Sequence, residues 1–347
     1  MTAEPNGGPR RRRGRKRESG SMVPEAEFTS YYGRPVVKGP AWKSPDVPLY
    51  LWVGGMAGTS SLLAEIAAAT GRPALRRGGR LVAAAGASVG TVALVHDLAR
   101  PRRFLNMLRV VKPTSPLSVG SWILAPYGTF AAAAAASELT GIAPFLGRLA
   151  GSAAAALGPP LAAYTAVLLA DTAVPAWHEA YRELPVVFVG SAAAAGGGAA
   201  LVVSGLTGRL VENVPAARLG ALGAAVELAA EQMMERRLAR LPGGIETSYT
   251  TGRAGRWNRA SQMLTALGGL GALLGRRSRA GAVAAGVALA AGSLATRFAV
   301  FEAGRASARD PEQTIGPQRA RLARGEAASA DGSWLAGENA TAPVPRS

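Results

Sequence analysis

The stretch LPVVFVGSAAAAGGGAALVVSGLTG, residues 184–208, carries no charged side chain and no polar stripe at helical spacing. A helix on a soluble protein's surface keeps one polar face, whereas a helix apolar all round is buried or faces lipid. The stretch is also long enough to cross a bilayer, whose hydrocarbon core takes about 20 mostly apolar residues in a helix. Residues 151–170 read the same way. Alanine is a strong helix former but only weakly lipophilic, so the all-alanine run 131–136 suits a soluble helix as well as a span. The charge-free stretches decide the matter for membrane.

Outward from there, apolar residues gather into eight stretches: 47–70, 79–98, 119–139, 151–174, 184–205, 219–234, 260–275 and 280–296. The first five are clear. The sixth is short and carries Glu227 and Glu231, and the seventh is barely long enough. The expected fold is all-α, a polytopic integral membrane helix bundle of about eight transmembrane helices over residues 46–304. It is flanked by a basic, largely disordered tail (1–45) and a second disordered tail (305–347) without hydrophobic periodicity. Gly54 with Gly58, Gly86 with Gly90, and Gly271 with Gly275 repeat at four-residue spacing. Such pairs let transmembrane helices approach closely and are read as bundle packing.

The chain has 347 residues, 48% of them hydrophobic, and a net charge of +17. Arg10, Arg11, Arg12, Arg13, Arg15, Lys16 and Arg17 supply much of that charge before any apolar stretch begins. The run has no interleaved aromatic to stack a base and no base-reading motif after it, so nucleic acid is not an expected partner. No apolar stretch follows Arg12-Arg13 within reach, and an export signal is not expected there. Lys and Arg favour one side of the loops, which predicts a cytoplasmic N-terminus in a multi-pass protein of the cell membrane. With no cysteine in the chain, thiolate-held iron–sulfur clusters are excluded from it. The two histidines, His96 and His178, fall at a span end and in a loop, so a bis-histidine haem at matched depth is not expected.

Ionisable groups within spans are costly and therefore candidates for function. Glu65, Glu227 and Glu231 are candidates for handling protons. For Glu65 the alternative is a side chain snorkelling to the interface; for the other two it is an amphipathic helix lying on the membrane. The loop HDLARPRRFLNMLRVVKPTSPLSVGSW (96–122) mixes Arg100, Arg102, Arg103, Arg109 and Lys112 with Phe104 and other apolar residues. It suits a boundary where lipid head groups or a partner protein are met. Tyr164 lies deep in an apolar span, where its hydroxyl needs a carbonyl or a ligand as partner.

Three segments together resemble the membrane subunits of the NrfD/polysulfide-reductase family: YYGRPVVKGPAWKSPDVPLYLWVGGMAGTSSLL (31–63), HDLARPRRFLNMLRVVKPTSPLSVGSWIL (96–124) and GPPLAAYTAVLLADTAVPAWHEAYRELPVVFVGSAAAAGG (158–197). The resemblance implies two four-helix bundles without haem, exchanging electrons with menaquinone or another quinone. It also implies an anchored iron–sulfur subunit of four-cluster ferredoxin type, wired to a molybdopterin catalytic subunit. It places the quinone among the first helices, with Tyr164 at the position of the family's tyrosine. Where the family has polar residues at the start of the first span, this chain offers Asp46 and Tyr50 but no histidine. His96 and Asp97 are the substitutes by physical argument, as proton-exchanging groups near the interface. The alternatives are a transporter, for which the break at Gly158–Pro160 is the one sign, and an anchor without redox function.

Overall fold

The structure, a computed structural model, describes residues 37–39, 42–98, 104–109 and 111–323. In chain order the helices are α1 (Asp46–Ala69), α2 (Pro73–Asp97), α3 (Phe104–Met107), α4 (Pro116–Thr140), α5 (Pro144–Ala170) and α6 (Pro175–Glu179). There follow α7 (Leu184–Thr207), α8 (Val214–Leu238), α9 (Thr247–Thr250), α10 (Gly252–Leu274), α11 (Arg279–Ser307) and α12 (Pro311–Ala323). Their limits are written in the sequence. Proline stands in the first turn of α2, α4, α5, α6, α7 and α8, where its missing N–H costs nothing. Gly141 and Gly208 end α4 and α7 at φ of 73° and 74°, the left-handed conformation that glycine adopts without strain.

Six helices, α1, α2, α4, α5, α7 and α11, are long and apolar enough to cross a membrane. Helices α8 and α10 are as long, at 25 and 23 residues, but more polar. Their exposed arginines lie toward the helix ends, while polar residues nearer the middle face inward. In α8, Glu227 and Glu231 are buried while Leu222 and Met233 are exposed; in α10, Asn258, Ser261 and Thr265 are buried while Met263, Leu267, Leu270 and Leu274 are exposed. A helix lying on the membrane would turn those carboxylates toward water. An apolar exterior over a polar interior is the arrangement lipid requires, and the molecule is a polytopic helical membrane bundle.

The helices extend beyond the hydropathic stretches. Where 219–234, 260–275 and 280–296 were expected to span, α8, α10 and α11 run from 214 to 238, 252 to 274 and 279 to 307. The charged residues at their ends lower the local hydropathy without ending the helix. A further correction concerns the C-terminal segment. Residues 305–323 were expected to be disordered, but α11 continues to Ser307 and α12 follows. Gln313 is buried there and its Oε1 accepts from Ser248 Oγ at 2.8 Å. Residues 1–36 and 324–347 lie outside the described residues.

Helices α1, α2, α4 and α5 pack as one four-helix bundle, and α7, α8, α10 and α11 as a second; α1 against α7 is the main seam. The backbones of α1 and α5 touch where they cross: a Cβ on Gly58 would meet Gly158 O at 2.5 Å, and one on Gly158 would meet Gly58 O at 2.2 Å. Of the glycines singled out in sequence, Gly86, Gly90, Gly271 and Gly275 also seat neighbouring atoms, while Gly54 faces open space. Successive long helices alternate in direction. Tight turns at 70–72, 141–143 and 275–278 occupy one face of the molecule, and the longer connections, with 104–109, 111–115, 171–183 and 239–251, the other.

Candidate functional site

At the long-loop face the ends of α1, α2 and α5 meet. His96 Nδ1 donates to Asp46 Oδ2 at 2.8 Å. The next residue, Asp97, accepts from the Lys43 backbone N–H at 2.8 Å, and Lys43 Nζ reaches His96 O at 3.3 Å. The chain entering α1 is thereby fastened to the end of α2. One turn further in, the Tyr50 side chain is buried within hydrogen-bonding reach of Tyr164 and close enough to Asp97 to feel its charge. Asp46, Tyr50, His96, Asp97 and Tyr164 therefore form one cluster, although α5 is far from the others in sequence.

The Tyr164 ring lies on α4, where a Cβ on Gly120 would come within 2.1 Å of it. The glycine of SVGSW is thus the seat of the tyrosine. Beyond that ring opens a cleft of about 590 Å³ lined by Thr114, Val119, Tyr164, Asp171, His178 and Tyr181 among others. Its size suits a small organic molecule, and its wall is mostly apolar with a few polar groups. His178 Nδ1 donates to Ala170 O at 3.3 Å, which fixes the tautomer and leaves a lone pair on Nε2.

The turn carrying His178 is built from the second bundle. Trp177 is fully buried; its Nε1 donates to Val300 O at 2.7 Å, and Trp42 stacks on it with ring centroids 5.5 Å apart. Ala176 N donates to Ser307 Oγ at 3.2 Å and its carbonyl accepts from Tyr249 Oη at 2.9 Å. Burial pushes the Tyr249 hydroxyl well above its ordinary pKa, so it remains a donor. Arg237 grips Glu183 with both nitrogens, at 2.6 and 2.7 Å.

The other sequence candidates lie elsewhere. Glu65 is near the tight-turn face, where Arg80 bridges it at 2.7 Å and Glu138 at 3.1 Å, and Arg76 joins Glu138 at 2.8 Å. That network ties α1, α2 and α4 together. Glu227 and Glu231 are buried inside the second bundle, with Arg297 of α11 within electrostatic reach. Among the docking candidates Arg109 and Lys112 are exposed at the long-loop face. Phe104 opens α3, and Arg100, Arg102 and Arg103 lie outside the described residues. No group of three or more metal-binding side chains occurs among the described residues.

Sequence reasoning passed over two residues. His178 was weighed only as a haem or metal ligand, although its position just after Tyr164's span placed it near the tyrosine's end of the helix. Arg297 was lost because the last span was ended at Thr296. The uninterrupted apolar run on either side of Arg297 was the available signal.

The family model described as polysulphide reductase, NrfD matches residues 41–234, more than half of the chain. The chain belongs to that family, whose members are membrane subunits of polysulphide-reductase-type complexes. No curated protein matches it significantly. The matched residues include the whole Asp46–Tyr164 cluster and His178, and they stop before Arg297.

Proposed function

We propose that this NrfD-family chain is the quinone-reactive subunit of a multi-subunit oxidoreductase. It would pass electrons between the quinone pool and an iron–sulfur partner of four-cluster ferredoxin type, itself joined to a molybdopterin catalytic subunit. The observation that carries the reading is the convergence of Tyr50, Tyr164, Asp97 and the Asp46–His96 pair beside an apolar cleft at one membrane face.

Quinol oxidation breaks two O–H bonds and releases two electrons and two protons; quinone reduction reverses both. A site for this chemistry needs a hydrogen-bond donor for the oxidised carbonyl oxygens, a proton acceptor for the reduced ones, and an exit to water. The Tyr164 hydroxyl is the donor in this reading. His178 Nε2, whose lone pair is unused by the Ala170 contact, is the acceptor in the same cleft. Tyr50 orients Tyr164, and Asp97 with the Asp46–His96 pair leads protons to the surface, where the His96 side chain is 73% exposed. The apolar wall holds the ring and excludes competing water. Electrons pass to the partner, for which Arg109 and Lys112 are exposed on the same face and Arg100, Arg102, Arg103 and Phe104 are further docking candidates from the sequence. The basic side of the loops also supports an N-terminus in the cytoplasm and a place in the cell membrane.

The test is binding of a short-tailed menaquinone to the purified chain in nanodiscs. Tyr164→Phe removes one hydrogen bond and should weaken binding about two- to tenfold, since a net hydrogen bond is worth about 0.5–1.5 kcal/mol. Unchanged affinity in that variant and in His178→Ala would overturn the assignment. Iron and molybdenum in the gently solubilised native complex test the partners separately.

A further inference from the structure

Helix α8 carries three carboxylates at i, i+4 and i+8: Glu227, Glu231 and Glu235. They share one face, which points into the second bundle. Glu227 is fully enclosed; it accepts from Thr296 Oγ1 at 2.6 Å and, more weakly, from Thr265 Oγ1 at 3.5 Å. Glu231 is 3% exposed, and its Oε2 makes no hydrogen bond to protein. Glu235 is half-buried nearer the long-loop face, and its Oε1 accepts from Asn258 at 2.7 Å and Gln262 at 3.2 Å.

The charge opposite them is Arg297. Its side chain is fully enclosed, stacked on the Phe188 ring at 3.7 Å, with Nη2 donating to Phe188 O at 3.0 Å. Its Nε and Nη1 have no hydrogen-bond partner. The remaining groups turned toward the glutamates are uncharged: Ser191 from α7, Gln262 and Thr265 from α10, and Thr296 from α11. Two enclosed carboxylates thus face one enclosed cation. The uncompensated negative charge is expensive so far from water, and a proton removes it.

The polar file has one open end. Toward the long-loop face it reaches Glu235. Toward the tight-turn face it gives way to a plug of small and aliphatic side chains, including Ala194, Leu201, Ala217, Ala224 and Leu289, all buried.

We propose that Glu227 and Glu231, with Arg297 as their fixed counter-charge, form a proton-binding site inside the second bundle that exchanges with the long-loop face through Glu235 and is sealed from the other face. The proton comes from water at that face, forms an O–H bond on one carboxylate oxygen of the pair, and leaves by the same route. No electron moves. The site stands apart from the Tyr164 cleft, and neither proposal depends on the other.

Dicyclohexylcarbodiimide tests it. This apolar reagent adds to a carboxyl group in its acid form, and mass spectrometry locates the adduct. In membranes holding the full chain at neutral pH the adduct is expected on Glu231 or Glu227. Labelling should decline as pH rises, and Glu65, paired with Arg80, should stay unmodified. Glu231→Gln should abolish labelling of Glu231 and leave short-tailed menaquinone binding unchanged. Absence of label from both Glu227 and Glu231 in the wild-type chain would overturn the proposal, whatever the variant's fold. The seal is tested in proteoliposomes under a potassium diffusion potential, where the wild-type chain should pass no protons. A steady flux abolished by Glu231→Gln would overturn one-sided access.

Discussion

In the first bundle the charged side chains sit toward the ends of the helices: Asp46, His96 and Asp97 at the long-loop face, and Glu65, Arg76, Arg80 and Glu138 toward the other. Its middle is held by backbone contact at Gly58 and Gly158 and by small hydroxyls such as Ser61, whose Oγ donates to Gly58 O at 2.8 Å. The second bundle reverses this, with Glu227, Glu231 and Arg297 enclosed in its interior. A charge at a helix end can borrow water and is cheap to keep. A charge within the bundle must be balanced by its neighbours. The two halves therefore differ in their relation to solvent: the first keeps its charges at the rim, the second holds them inside.

The largest expected effect probes the interior of the second bundle. Arg297→Ala leaves two carboxylates without a cation and should cost about 3–5 kcal/mol, the usual loss when one partner of a buried charge group is removed. Thermal unfolding in detergent measures it, and Arg297→Lys should recover part of the loss. Next comes the middle of the first bundle, where no charge is at stake. Gly158→Val drives a side chain into the α1 backbone and should cost about 1–3 kcal/mol through overpacking. If both variants unfolded alike but Arg297→Ala were rescued by acid, the interior charges would be the cause only in the second bundle.

At the rim the effects shrink. Gly120→Ala touches no polar group but displaces the Tyr164 ring, and it should weaken short-tailed menaquinone binding with little change in unfolding temperature. Smallest of all is His96→Ala. Its ring is 73% exposed, and an ion pair this open to water is worth about 0–1 kcal/mol. A loss for His96→Ala as large as that for Arg297→Ala would break the contrast between the halves.

The first half was legible in sequence because its charges sit at helix ends, where a hydropathic stretch stops anyway. Residues 47–70 and 119–139 recover α1 and α4 to within a few residues. The five polar residues chosen for the quinone were also brought together, since four of them lie at the two ends of adjoining helices. In the second half, hydropathy counts a residue but not the direction it faces. Glu227 and Glu231 made α8 look weak, although they point inward and its lipid side carries Leu222 and Met233. Arg297 ended a predicted span for the same reason. His178 could be placed near the end of Tyr164's helix, but not on the wall of the cleft, because its turn depends on Trp177, and Trp177 depends on residues more than a hundred positions later.

That dependence has a consequence for biogenesis. The indole of Trp177 occupies the space left by Gly304 and bonds to Val300, so the wall of the cleft lacks one of its supports until the final long helix has emerged from the ribosome and entered the bilayer. A chain stopped after α10 would hold every residue of the rim cluster yet present His178 on a turn held only by Trp42, Arg237 and Tyr249. The last long helix to be made is thus the one that completes the wall of the cleft.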